Sequence, residues 1–174
     1  MPFYQSLGNI PKKRHTQFEQ PDGSLYHEQL FGTIGFVGMS SLLYHLRRPT
    51  MVKRVGKSVN VKPTAAIENN LLSRKLEGFK VKPCPEYLAS RTPVLFNADV
   101  TIWLAAPTAS MADDAFYKNS DGDEVVFVHE GAGVLHTMLG KIPFDSGDYL
   151  VIPRGIIHRF VFASDANRLF ITES

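Results

Sequence analysis

From Val94 to the C-terminus the chain is a succession of short β-branched and aromatic runs, each closed by Asp, Gly, Asn, Ser or Pro. Residues 100–104, 124–128, 134–139, 149–152, 159–162 and 169–172 are each too short for an amphipathic helix. They are rich in side chains that suit a half-buried pleated surface. Short strands at close spacing, joined by turn chemistry rather than helices, restrict the fold to an antiparallel sandwich or barrel.

The front half is less regular. Gly23, Gly32, Gly35 and Gly38 cut the first fifty residues into short pieces, of which residues 41–46 read as a strand ended by Arg47, Arg48 and Pro49. These glycines do not form the G-x-G-x-x-G pattern and lack its strand-then-helix context, so a dinucleotide site is rejected. One helix is expected between Thr64 and Leu76, with Ile67, Leu71 and Leu72 at helical spacing and Thr64 as its cap. Pro83, Pro85 and Pro93 mark an irregular crossing segment. The expected organisation is a single domain over residues 1–174. Residues 1–92 form an N-terminal arm with supporting strands, and residues 93–174 form the barrel core.

Composition removes several function classes. With 174 residues the chain is one ordinary domain. Nineteen Lys and Arg against seventeen Asp and Glu leave a net charge of +2, too little for a nucleic-acid partner. A lone cysteine, Cys84, rules out an intrachain disulfide and a cysteine-cluster zinc site. No apolar run approaches the roughly 20 residues of a bilayer span, and the first residues lack a secretory core. No membrane partner is expected, and the expected location is cytoplasmic.

Two segments carry more than propensity. In residues 123–131, Glu124 is followed seven positions later by Gly131. In residues 147–158, Gly147 precedes a strand, a Pro153-x-Gly155 turn and His158. Together they resemble the two signature motifs of the cupin superfamily. The resemblance implies an all-β, cupin-type jelly roll, a double-stranded β-helix barrel, preceded here by an irregular strand-and-loop region. Strand alternation then places Glu124, Val126 and Val128 inside and Val125, Phe127 and His129 outside. Gly131 and Gly155 allow the tight turns.

A cupin metal site needs histidine nitrogens and a carboxylate, a set suited to iron or manganese. Residues 116–122, where the first motif would supply its histidines, contain none. Glu124 and His158 remain as vestigial metal candidates, and an empty or degenerate site is expected, with weak binding through rearranged ligands as the alternative. Asp121 and Asp123 sit beside Gly and Ser and read as turn formers. His129 falls outside the barrel and His136 on another strand. His15, His27 and His45 show no triad or zinc spacing. Cys84, between two prolines, has no paired histidine. Lys12, Lys13, Arg14, Arg47 and Arg48 read as solvated loop charges. No catalytic or cofactor-binding residue is assigned.

Residues 25–32, 41–46, 116–123 and 149–155 resemble the N-terminal half of the homogentisate 1,2-dioxygenase family. That resemblance implies a two-cupin protein using Fe(II) to open the homogentisate ring with dioxygen, giving maleylacetoacetate in tyrosine and phenylalanine catabolism. It implies iron ligands in a second, C-terminal cupin, so none carries over to a position here. The corresponding expectations are a scaffold half that binds no metal and is inactive alone, and a homo-oligomer. Homogentisate is the small-molecule partner of the full-length family only. The alternative is a stand-alone, non-catalytic cupin serving as a small-molecule-binding or assembly module. A cupin-type isomerase or epimerase ranks lower, because it meets the same shortage of ligands.

Overall fold

The strand-forming runs of the second half become strands at nearly the positions where propensity places them. The computed structural model describes residues 18–67 and 73–174, and the chain divides into two compact units, Met1–Asn60 and Val61–Ser174. The first unit holds an antiparallel hairpin of β1 (His27–Ile34) and β2 (Val37–His45), in which His27 lies opposite His45. Of the strand expected at residues 41–46, residues 41–45 are part of β2 and Leu46 lies beyond its end.

The helix expected from Thr64 to Leu76 does not form where the chain is described. Residues 64–67 and 73–76 have no helical backbone, and residues 68–72 lie outside the described residues. An apolar stripe needs a surface to cover, and Ile67 is 96% exposed. At Ile67, the one described member of that stripe, no burial is available to offset the cost of helix nucleation.

The second unit carries two antiparallel sheets. The larger runs in the order β3 (Arg91–Phe96), β4 (Thr101–Ala105), β10 (Arg168–Glu173), β5 (Glu124–Glu130), β8 (Tyr149–Ile152). The smaller runs β7 (Gly140–Phe144), β6 (Gly133–Thr137), β9 (His158–Phe162). A short 3₁₀ turn, Gly78–Lys80, precedes them. Two of these strands, β3 and β7, are absent from the sequence reading, and both contain a proline, Pro93 and Pro143. Both are edge strands, where a residue without an N–H disturbs no ladder on its outer side. The run expected as one strand over residues 134–139 is a strand only as far as Thr137, and residues 138–139 turn the chain into β7. β6 ends at Thr137, whose hydroxyl donates to the Gly140 carbonyl (2.9 Å) and accepts from the Leu139 amide (3.0 Å).

The interior follows the alternation. Val126, Val128, Leu169 and Ile171 from the larger sheet and Leu135, Phe160 and Phe162 from the smaller one are buried. Tyr117 stitches the sheets together: its backbone pairs with His158 on β9 and its hydroxyl donates to Glu124 on β5. Gly131 turns the chain between β5 and β6 at φ +107°, and a Cβ there would stand 2.1 Å from Asn167 Oδ1. Only glycine fits both the backbone and the space. Among the described residues no helix is long and apolar enough to cross a membrane.

Candidate functional site

Period-two alternation on β5 sends Glu124 inward with Val126 and Val128, and its side chain is fully buried. A carboxylate in such a place must be neutralised or hydrogen-bonded. The structure does both. Glu124 Oε1 accepts from Arg91 Nη1 (2.8 Å), the Tyr117 hydroxyl (3.2 Å) and Asn119 Nδ2 (3.2 Å).

Arg91 enters from the first position of β3 with a side chain 5% exposed. Its Nη2 donates to Glu173 Oε2 (3.1 Å), which also accepts from Trp103 Nε1 (2.9 Å). The guanidinium lies 4.9 Å from the Trp103 ring centroid, 5.9 Å from that of Tyr117 and 6.0 Å from that of Tyr87. Burial works against this charge, but the surrounding groups, Glu124 among them, outweigh it and hold the guanidinium protonated beyond its ordinary range. Arg91 thus sits between two carboxylates inside an aromatic box, where its planar, always charged head is the suitable cation.

His158 opens β9 and is also buried. Its Nδ1 lies 3.0 Å from the Ile156 carbonyl, so Nδ1 carries the proton and Nε2 is the acceptor. Burial pushes the imidazole below its usual range, and it is neutral at physiological pH. Its ring stands edge-on to Tyr117, with centroids 5.3 Å apart. Burial, with the charge of Glu124, pushes the Tyr117 phenol up to about 12, and burial raises Tyr87 as well. His158 Nε2, Glu124 Oε2 and the Tyr87 hydroxyl are buried without a hydrogen-bond partner among the described residues.

The two sequence candidates, Glu124 and His158, are therefore brought to one place, on either side of Tyr117. They do not suit a metal ion. Among the described residues no group of three or more His, Cys, Asp or Glu is placed to hold one. One oxygen of Glu124 already faces a guanidinium, and a second cation in the same low-dielectric space would be repelled by it. Asp123 turns away, its Oδ1 accepting from the Arg154 amide (2.8 Å). Asn119 Oδ1 accepts from the Asp121 and Gly122 amides, closing the turn assigned to this stretch.

Of the remaining histidines of the second unit, neither His129 nor His136 takes part in this cluster. His129 is exposed on the outer face of β5, His136 lies on β6, and His45 Nε2 is 2.8 Å from Gln29 Oε1. Cys84 is free and half-buried, and Arg47 and Arg48 are exposed. His15, Lys12, Lys13 and Arg14 lie outside the described residues. The sequence reading missed Arg91, Trp103, Glu173 and Tyr87. The one available signal was electrostatic: an inward glutamate without its metal ligands requires a cation from elsewhere in the chain.

Comparison with known proteins bears on the fold and the family. A protein of Saccharolobus solfataricus provisionally named a dioxygenase is 36% identical over 177 residues, covering 99% of this chain and 44% of its own length. The chain thus spans less than half of that relative. A crystal structure from Ralstonia eutropha, provisionally named a mannose-6-phosphate isomerase, matches 58% of this chain and 97% of its own at TM-score 0.51 and 17% identity, a likeness of fold alone. A cupin-2 domain protein of Shewanella frigidimarina matches 48% of this chain and 78% of its own, at TM-score 0.42 and 24% identity. The fold is the all-β cupin type expected from the two motifs. Residues 86–174, which include Arg91, Glu124 and His158, match the homogentisate 1,2-dioxygenase N-terminal family, and the chain belongs to that family.

Proposed function

We propose that this chain is a non-catalytic cupin half of a ring-opening dioxygenase acting on homogentisate. On this reading it is a rigid support, and the Fe(II) and the oxygen chemistry belong to a part of the protein outside these 174 residues. The observation that supports it is the Arg91–Glu124 pair, which puts a covalently tethered cation where a cupin would use a metal. The family match and the dioxygenase name of the relative supply the reaction class. The test is oxygen uptake with homogentisate in the presence of Fe(II), for this chain alone. The expected rate equals the protein-free blank. Ring opening by the chain alone would overturn the proposal.

A second reading, an assembly module, is favoured by β8. It is an edge strand whose outward side chains, Tyr149 and Val151, are 69% and 67% exposed. Exposed apolar side chains on an open sheet edge favour self-association. Light scattering giving a mass above that of one chain supports this reading, and a monomer at all concentrations counts against it.

A further inference from the structure

Strand register lines up Leu104, Phe170, Phe127 and Tyr149 across β4, β10, β5 and β8, on the sheet face opposite Glu124. Residues 75–81 cross part of this row as a strap. Gly78 allows the close approach, since a Cβ there would stand 3.0 Å from Leu104 Cδ1. The far end of the strap is held by Arg168, whose Nη1 donates to the Val81 carbonyl (3.0 Å). Phe79 stands edge-on to His129, with ring centroids 5.4 Å apart, and the Arg168 guanidinium lies 5.9 Å from the Phe79 ring.

Strap and sheet enclose a groove of about 620 Å³, within the range of roughly 300–1,000 Å³ usual for small-molecule sites. Its walls are Leu76, Phe79, Leu104, Phe127 and Phe170. Phe79 is 64% exposed, a large aromatic surface left uncovered by the described residues. The charge around the groove is one-sided. Lys75, Lys80 and Arg168 line it, while Glu77, the single acid there, is ion-paired with Lys80.

Aromatic walls with an excess of positive charge complement an apolar body bearing a negative group. We propose that this groove binds a small apolar anion, a carboxylate or sulfonate on a ring or hydrocarbon body. The apolar part lies against Phe79, Phe127 and Phe170, and the charge faces Lys75 and Arg168. This site is separate from the barrel interior and does not depend on the dioxygenase reading.

Fluorescence titration of the full chain with 8-anilinonaphthalene-1-sulfonate and with the uncharged N-phenyl-1-naphthylamine tests the proposal. The sulfonate dye is expected to saturate at one per chain. Lys75→Glu should weaken it about three- to fivefold and leave the uncharged dye unchanged. Phe79→Ser should weaken both dyes. Tyr149→Ser, on the same sheet face but outside the groove, should weaken neither. All three positions are exposed, so these changes spare the core. Should Phe79→Ser fail to fold, the Lys75→Glu comparison decides alone. Unsaturable binding, or a Lys75→Glu effect equal for both dyes, overturns the proposal. So does a loss in Tyr149→Ser matching that in Phe79→Ser, which would mark the whole face as a protein-docking surface.

Discussion

Arg91 Nη1 lies 2.8 Å from Glu124 Oε1, with the two side chains 5% and 0% exposed. Thirty-three residues separate them in sequence. An ion pair so enclosed contributes little over an apolar pair of the same shape, but removing one partner strands the other in a low dielectric. Arg91→Met should therefore lower the unfolding free energy by about 3–5 kcal/mol, read from urea denaturation. Adding Glu124→Gln in that background removes the stranded charge and should restore part of the loss. A single-variant loss below about 1 kcal/mol, the scale of an exposed pair, would contradict the arrangement.

His158 makes stability depend on pH in a defined direction. Burial lowers its affinity for a proton in the folded chain, whereas the unfolded chain protonates near the ordinary value of about 6.5. Below that value the unfolded state binds more protons, so stability falls as the pH drops from about 7.5 to about 5. His158→Asn should flatten this part of the profile. Melting temperatures at the two pH values, for both proteins, give the comparison. A steeper acid loss in His158→Asn than in the parent would contradict the assignment.

Gly131 is tested by a methyl group. Its φ of +107° disfavours any other residue, and the added Cβ would meet Asn167, which is itself held by the Pro107 and Ser164 carbonyls. Gly131→Ala should cost about 2–3 kcal/mol. Gly56→Ala, where nothing lies within 4 Å of the new Cβ, serves as the control. It should change stability by no more than about 0.5 kcal/mol. Equal effects at the two positions would show that the Gly131–Asn167 contact does not constrain the turn.

Where side-chain chemistry is local, the sequence is a reliable guide. Tyr149–Ile152 is a strand with the expected limits, and the inward run of Glu124, Val126 and Val128 follows from alternation alone. The glycine and proline spacing around Gly131 and His158 pointed to Glu124 and His158, and the fold brings both buried side chains against Tyr117. Local reasoning fails where a neighbour decides. β3 and β7 are strands in spite of Pro93 and Pro143 because an edge position tolerates them, and edge position is a property of the sheet. Residues 134–139 look like one apolar run, and only the hydrogen bonds of Thr137 reveal the turn within it. Arg91 looks like any loop-end arginine, since its partners Glu124 and Glu173 are 33 and 82 residues away.

On the proposed reading Arg91, rather than a metal ion, neutralises the carboxylate inside the barrel. Anaerobic incubation of the 174-residue chain with Fe(II), followed by desalting and metal analysis, addresses it most directly. Iron at the level of the buffer blank and an unchanged melting temperature are expected. One iron per chain, retained through desalting and accompanied by a higher melting temperature, would contradict that reading.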